Sequence, residues 1–274
     1  MSDERPIGFF DSGVGGLTVL REVMRRLPEE STLYLGDNAR APYGPRSDDE
    51  VRQFSGEILD ELAGRDVKAI VIACNTSTAV ALPELRLRYD LPLLGVVRPG
   101  ATAAALATRN RRVGVIATQA TVRSRAYFQA IKEEDPFVEV FEQATPKLVP
   151  LVEAGKLDGG LVEEVVAEQL APLLGGGHEI DTLLLGCTHY PLLAPVIRRL
   201  VGADVAVIDS ASATASALAS LLEVHGLNAP PGSVAEHSQL TTGDAEQFSA
   251  VAETLFGSSM ARAKSIALAA VSGS

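Results

Sequence analysis

Short apolar runs that alternate with amphipathic stretches are the feature that most constrains the fold of this chain. Each run is long enough for a buried strand, and a helix-like stretch separates it from the next. The runs are Ile7 to Phe10, Thr32 to Leu35, Val67 to Ala73, Leu91 to Val97, Val113 to Ala117, Val138 to Phe141, Thr182 to Leu185 and Val205 to Ile208. The pattern predicts an α/β protein with mainly parallel sheets, whose ligands bind at the carboxyl ends of the strands.

The two cysteines of the chain, Cys74 and Cys187, lie at matching points of this pattern. Each comes where a predicted apolar strand should end, and residues with amide or hydroxyl side chains follow it. A single cysteine in such a place is usually a small buried hydrophobic residue. Two matching ones favour a site, because a racemase without a cofactor needs a base on one face of a carbon and an acid on the other. A disulfide is the alternative, although free thiols are the norm in the cytosol.

The chain divides into two similar halves, each with one cysteine. We predict a first α/β domain from residues 1–97 together with about 211–274, and a second from residues 98–210. The junction falls at Arg98-Pro99-Gly100, and a helix is predicted for residues 211–224. The active site is expected in the cleft between the two domains.

Composition and charge narrow the possible partners. A chain of 274 residues with a formal net charge of -11 lacks the basic face of a protein whose main partner is a nucleic acid. Its start resembles no signal peptide, and no apolar run reaches the roughly 18 residues of a membrane span. We therefore predict a cytoplasmic protein with no membrane partner.

Two loops at predicted strand ends are candidates for substrate binding. The first, Asp11-Ser12-Gly13-Val14-Gly15-Gly16, lets a ligand approach the backbone closely, but it matches neither a dinucleotide-binding fingerprint nor a P-loop. The second runs from Asp37 to Pro45 and presents Tyr43 and the backbone of Gly44. Each loop by itself is also typical of an ordinary structural turn.

Other cofactor and metal chemistry has little support in the residues. The spacing of two Cys and four His matches no common zinc motif, so no metal is expected. None of the five lysines stands at a strand end as a Schiff-base lysine would, so no pyridoxal cofactor is expected either. A thiol hydrolase and a non-catalytic amino-acid binding protein remain open, although neither needs two opposed thiols.

Four motifs, taken together and in this order, resemble those of the bacterial glutamate racemases in the aspartate/glutamate racemase family. They are residues 7–16 (IGFFDSGVGG), 34–44 (YLGDNARAPYG), 73–76 (ACNT) and 186–191 (GCTHYP). The resemblance also covers Thr118 to Ser124 and residues 241–244, so it extends over nearly the whole chain. It implies two α/β domains and cofactor-independent interconversion of L- and D-glutamate for peptidoglycan synthesis. A homodimer is a possible assembly.

The resemblance also implies the roles of individual residues. Cys74 is expected to act on the D enantiomer with help from Asp11, and Cys187 on the L enantiomer with help from Glu153 and His189. The residues expected to contact the substrate are Asp11, Ser12, Tyr43, Gly44, Asn75, Thr76, Thr118, Thr121, Thr188 and His189. Aspartate racemases would also keep two thiols, but they tend to carry Glu at the position of His189, which favours glutamate. Arg40 is expected to point away from the substrate.

Overall fold

The protein folds into two parallel β-sheets covered by helices. The computed structural model describes residues 2–257 and 262–268. Within them the strands are β1 (Ile7–Asp11), β2 (Thr32–Gly36), β3 (Ala69–Ile72), β4 (Leu93–Gly95), β5 (Arg112–Ala117), β6 (Glu139–Ala144), β7 (Thr182–Gly186), β8 (Ala206–Asp209), β9 (His237–Thr241) and β10 (Ala263–Ser265). The predicted α/β class with parallel sheets is confirmed.

Helices connect the strands in the order that an α/β fold requires. The described α-helices are α1 (Leu17–Arg26), α2 (Asp48–Ala63), α3 (Asn75–Val80), α4 (Leu82–Arg88), α5 (Val97–Ala107), α6 (Gln119–Ser124), α7 (Ala126–Glu134), α8 (Leu148–Glu153), α9 (Gly160–Gly175), α10 (Ala194–Val201), α11 (Ala211–His225) and α12 (Ala245–Phe256). A 3₁₀ turn at Tyr190–Leu193 precedes α10. In the described part of the chain, no helix combines the length and the apolar character needed to cross a membrane.

Both sheets contain the same strand arrangement. The first has the order β10-β9-β2-β1-β3-β4 and the second β6-β5-β7-β8, and all neighbouring strands are parallel. In each sheet the chain first leaves to one side of the starting strand, β1 or β5, and then crosses to the other side. This reversal opens a crevice at the carboxyl ends of β1 and β3, and another at the ends of β5 and β7.

The chain crosses from one sheet to the other twice, and we call each crossing a passage between the sheets. The first passage, from β4 to β5, contains α5, and the second, from β8 to β9, contains α11, which packs against α1 and α5. The main apolar core is continuous across both sheets, since it includes Phe9 and Val71 of the first and Leu183 and Leu185 of the second. The two sheets are therefore packed through a shared apolar interior.

Two strands were missed by the sequence pattern, and two were predicted too long. The predicted strand at Val67 to Ala73 is only Ala69–Ile72, whereas β6 continues past the predicted end at Phe141 to Ala144. Strands β9 and β10 have the sequences HSQLT and AKS, which contain too few apolar residues to show a strand signal. The predicted strand at Leu91 to Val97 is only Leu93–Gly95, because Val97 already begins α5. The domain boundaries 1–97 with 211–274, and 98–210, stay a prediction, and residues 258–261 and 269–274 lie outside the described residues.

Helix α2 begins at a capping box formed by Ser47 and Glu50. The Ser47 side chain accepts a hydrogen bond from the Glu50 N–H, and the Glu50 carboxylate accepts one from the Ser47 N–H at 3.0 Å. Ser47→Ala should lower the free energy of unfolding by about 1 kcal/mol, because a backbone donor at the helix start loses its partner. Urea unfolding measures the change. Ser220→Ala, at an exposed interior position of α11, is the control and should change stability by less than about 0.5 kcal/mol; equal effects of the two variants would contradict the prediction.

Candidate active site

Both cysteines lie at the two crevices where strand order reverses. Cys74 follows β3 after one residue, and Cys187 directly follows β7. Their side chains are free thiols, and the two residues are only 5% and 6% exposed. The matching positions that the sequence indicates are thus equivalent positions in two equivalent sheets.

Contacts between the halves bring the two crevices together. The Thr188 hydroxyl, beside Cys187, donates a hydrogen bond to Asp11 Oδ1 at 3.4 Å. The Thr18 hydroxyl on α1 donates to the Thr188 carbonyl oxygen at 3.2 Å. The loop that follows β7 in the second sheet therefore lies against the end of β1 in the first.

The Cys74 sulfur is fixed by local backbone and side-chain bonds. As the N-cap of α3 it accepts the Ser77 N–H at 3.5 Å, and its thiol lies 3.7 Å from the Ser12 hydroxyl oxygen. Burial raises the pKa of Cys74 to about 11, and the negative charge of Asp11 acts in the same direction. Cys74 is therefore a thiol at neutral pH, and once deprotonated it is a strong base.

Asp11 is a fully buried carboxyl group between the two crevices. Its Oδ2 accepts the Gly13 N–H at 2.9 Å. Burial raises its pKa, while the positive charge of His189 and the hydrogen bonds from Gly13, Gly16 and Thr188 act against that rise. A carboxylate in this setting is a ready acceptor for a proton from a neighbouring group.

Cys187 is linked to a histidine and a carboxylate. Its sulfur lies 3.8 Å from His189 Nδ1, and His189 Nε2 lies 3.4 Å from Glu153 Oε1. Burial acts to lower the pKa of His189, but the bonds to Cys187 and Glu153 and the charge of Asp11 outweigh it and raise that pKa to about 10. Glu153 also lines a cavity of about 340 Å³. The sequence pattern alone did not single out Glu153.

Three threonine hydroxyls form a polar cluster across the cleft. Thr76 Oγ1 lies 2.9 Å from Thr118 Oγ1 and 3.4 Å from Thr121 Oγ1, and the last two are 2.9 Å apart. The loop with Gly44 lies beside them, since its carbonyl accepts the Ala120 N–H at 3.2 Å. A Cβ on Gly44 would lie 3.0 Å from Thr118 Cβ. Residues from both halves thus surround one polar space.

The side chain of Tyr43 supports its loop. The ring is buried, and the hydroxyl donates to the buried Asp37 carboxylate, so this side chain fixes the loop from within. Arg40 is bound to Asp37 at 2.7 Å and to Glu57, and its guanidinium lies over the Phe54 ring. Arg40 is therefore engaged by the protein itself.

Two buried tyrosines shape the site, although the sequence alone does not predict this role. The Tyr34 hydroxyl donates to the Gly13 carbonyl oxygen at 2.7 Å and so fixes the glycine-rich turn. Tyr127 accepts a hydrogen bond from Asn75 at 2.6 Å. Tyr34 opens the second of the four motifs and Tyr127 lies outside all of them, but the sequence assigns no chemical role to either tyrosine. Among the described residues, no group of three or more His, Cys, Asp or Glu side chains could hold a metal ion.

Comparison with known proteins shows the family of this chain. The model of the Asp/Glu/hydantoin racemases matches residues 16–218. A glutamate racemase of Exiguobacterium sibiricum is 48% identical over 248 residues, which cover 90% of this chain and 91% of the relative. This chain therefore belongs to the Asp/Glu/hydantoin racemase family, and the resemblance seen in the sequence motifs is confirmed.

Solved structures support the same assignment over nearly the full length. The glutamate racemase isoform RacE1 from Bacillus anthracis superposes with a TM-score of 0.92 at 41% identity, covering 97% of this chain and 98% of that one. A glutamate racemase from Francisella tularensis in complex with D-glutamate gives 0.89 at 34% identity, with the same coverage of both chains. The two-domain α/β architecture is thus shared with glutamate racemases.

The raised pKa of His189 predicts a pH-dependent stability. Between the ordinary value of 6.5 and about 10, the folded chain keeps a proton that the unfolded chain has released. The free energy of unfolding should therefore fall as pH rises, by up to about 1.4 kcal/mol per pH unit from this group. His189→Asn should flatten the slope between pH 7 and 8.5 in urea unfolding. His225→Asn, at the exposed end of α11, should keep the wild-type slope, and equal slopes for all three proteins would contradict the prediction.

Two glycines of the same turn provide a test of the contact between halves. A Cβ on Gly15 would lie 2.5 Å from His189 Nδ1 and would also meet Thr188, whereas a Cβ on Gly13 would have its nearest neighbours at 3.9 Å. Gly15→Ala should therefore displace the loop after β7 and lower activity by about a hundredfold or more, while Gly13→Ala should cost less than about fivefold. Steady-state kinetics on both variants, with circular dichroism for folding, measures this. Similar losses of activity in the two variants would contradict the predicted contact between the glycine-rich turn and the loop after β7.

Proposed function

We propose that this chain interconverts L- and D-glutamate without a cofactor, with Cys74 and Cys187 as its two acid–base groups. The observation that carries the proposal is the pair of buried free thiols at equivalent strand ends of two facing sheets. Each thiol has its own proton-accepting partners, Asp11 on one side and His189 with Glu153 on the other. A binding protein would need only the cleft, and a thiol hydrolase only one cysteine.

The reaction follows from opposed thiols. With D-glutamate bound, the Cys74 thiol gives its proton to the Asp11 carboxylate. The resulting thiolate takes the α-proton, and the electron pair of the broken C–H bond stays on the α-carbon. The Cys187 thiol then gives its proton to the opposite face, so that L-glutamate forms and the charge ends on the Cys187 sulfur. L-glutamate reacts by the reverse sequence. Each sulfur must come within about 3 to 3.5 Å of the reacting centre, so a substrate-bound crystal structure should show the sulfurs roughly 6 to 8 Å apart.

Neutral donors hold the substrate in this proposal. The three hydroxyls of Thr76, Thr118 and Thr121 are hydrogen-bond donors at the junction of both halves, and Ser12, Asn75 and Thr188 add polar groups beside the sulfurs. Such preorganised donors stabilise the charge that develops when the α-proton leaves. Arg40 is already paired with two carboxylates, which supports carboxylate binding by backbone and hydroxyl groups.

The protonation states must be reset after each turnover. Once D-glutamate has become L-glutamate, Cys74 carries a proton and Cys187 has lost one. We infer that the proton passes from Cys74 to Asp11, whose charge acts on the Cys74 thiol, once that carboxyl group has lost its own proton to solvent. Protonated His189, whose Nδ1 lies 3.8 Å from the Cys187 sulfur, returns a proton to Cys187. The Glu153 side chain contacts His189 and is 37% exposed, so it offers a proton path to solvent.

Glutamate is the preferred substrate among the chemically similar ones. The Exiguobacterium sibiricum relative is a glutamate racemase, and the racemase from Francisella tularensis is in complex with D-glutamate. An aspartate racemase is the second candidate, and His189 argues against it. Polarimetry with each enantiomer of both amino acids, without added cofactor, separates the two; turnover of aspartate but not of glutamate would reject the proposal.

The cellular role follows from the same activity. We propose that the protein is a cytoplasmic enzyme, where its thiols stay reduced, and that its D-glutamate supplies peptidoglycan synthesis and so maintains the cell wall and cell shape. Depletion of the protein should make growth depend on added D-glutamate. A homodimer is part of the proposal, and sedimentation velocity would contradict it by giving the mass of one 28.8 kDa chain at all concentrations.

Replacement of each cysteine tests the two-thiol mechanism. Cys74→Ala and Cys187→Ala should each lower racemisation by about a thousandfold or more in both directions, because acid and base act as one unit. Exchange at the α-carbon should survive on one face. In deuterium oxide, Cys74→Ala should exchange the α-hydrogen of L-glutamate with retention, and Cys187→Ala that of D-glutamate.

Proton NMR of both variants with both enantiomers measures these exchange rates. Ser77→Ala keeps the backbone N–H that bonds to Cys74, so it is a control for disturbance near α3 and should retain racemisation. Near-wild-type racemisation by either cysteine variant would refute the two-thiol mechanism. A swapped preference for the enantiomers would reverse the facial assignment.

A further inference from the structure

A buried tyrosine outside the cysteine motifs touches the surroundings of both cysteines. Tyr127 lies at the start of α7 and is fully buried. Its hydroxyl oxygen accepts a hydrogen bond from Asn75 Nδ2 at 2.6 Å, and Asn75 directly follows Cys74. Its ring lies over Gly186, which directly precedes Cys187, since a Cβ there would come within 2.8 Å of Tyr127 Cε2.

The same hydroxyl lies where the two passages between the sheets meet. A Cβ on Gly100, in the first turn of α5, would lie 3.1 Å from Ser210 Cβ and 3.4 Å from the Tyr127 hydroxyl oxygen. Ser210 is the residue just before α11, and its side chain lies beside the Tyr127 hydroxyl group. The first turn of α5, the start of α11 and the residue after Cys74 thus converge on one phenol group.

The Asn75 amide depends on this contact for its orientation. Asn75 is 2% exposed, and its Oδ1 has no hydrogen-bond partner among the described residues. The bond from Nδ2 to Tyr127 therefore fixes which end of the amide is left for a ligand. Burial raises the pKa of Tyr127, so its hydroxyl keeps its proton and can also donate one hydrogen bond.

We propose that Tyr127 is a positioning residue for the Cys74 half-reaction: its hydroxyl fixes the Asn75 amide beside Cys74 and ties that amide to both passages between the sheets. The inference rests on the proposed racemisation and adds to it a residue that acts through Asn75. Because the bond crosses from α7 in the second half to α3 in the first, it also joins the two halves at the cleft.

Tyr127→Phe removes the hydroxyl and keeps the ring over Gly186. We expect kcat/KM to fall about tenfold, because the buried Asn75 amide loses its hydrogen-bond acceptor. The fall should be equal in both directions, because the equilibrium constant between the enantiomers is fixed. The two proton transfers should be affected unequally. The primary isotope effect with 2-deuterated D-glutamate should rise, and that with 2-deuterated L-glutamate should fall, because the step at Cys74 becomes more rate-limiting.

Tyr190→Phe is the control matched for burial. Its hydroxyl bonds to Thr145 at 2.7 Å, inside the second half, and makes no bond to Asn75. This variant should leave the ratio of the two isotope effects unchanged even if it loses stability. An unchanged ratio for Tyr127→Phe, or an equal shift for both variants, would overturn the proposal.

A double-mutant cycle with Asn75→Ala tests whether Tyr127 acts through Asn75. If it does, Tyr127→Phe should cost less than about twofold in kcat/KM when Asn75 is already alanine. A full tenfold cost in that background would show a purely structural role. Failure of this inference leaves wild-type racemisation and its dependence on both cysteines intact, whereas failure of the proposed function would abolish one of those two observations.

Discussion

The reversal of strand order beside β1 and β5 is the constraint on which the rest of this structure depends. Parallel pairing puts all strand ends of a sheet at one edge, and the reversal opens a single crevice there. Asp11 and Cys74 occupy the crevice of the first sheet, and Thr118 and Cys187 occupy the crevice of the second. The contact from Thr188 to Asp11 then brings the two crevices face to face. One supersecondary arrangement, used twice, thus places one buried free thiol on each side of the cleft.

Burial has opposite consequences for the groups around the cleft. It makes both Cys74 and Asp11 hard to ionise, and the negative charge of Asp11 raises the pKa of Cys74 further. At His189 the contacts to Cys187 and Glu153 reverse the effect of burial and favour the cation. A buried cation near buried acids keeps the net charge of the cleft low, which limits the desolvation cost of so many ionisable groups in one place. Because these ionisable groups lie close together, a proton has only a short distance to move from one to the next.

The sequence was sufficient for the elements with a strong local signal. Each of the eight apolar runs contains or overlaps a strand of the structure, and the matching cysteine segments lie at equivalent strand ends, because burial on both faces of a parallel strand requires continuous apolar sequence. Strands β9 and β10 could not be found in this way, since they are short and polar and are held by pairing to β2 and β9. Pattern analysis equally gave no role to Glu153, Tyr34 or Tyr127. Their proximity to the site arises from long-range packing, and only the motif resemblance indicated Glu153.

The order of strands along the chain also determines when each sheet can be completed during synthesis. Strands β1 to β4 emerge first, but the outer edge of β2 finds its partner only when β9 has been made, after the whole second sheet. Until then β2 is an edge strand whose unpaired backbone groups can bind another chain. Leu33 and Leu35, both buried in the finished protein, lie on that strand. A ribosome that stalls within the second sheet would therefore release a first sheet with an open, apolar edge, and aggregation of such fragments is the physical cost of completing the first sheet last.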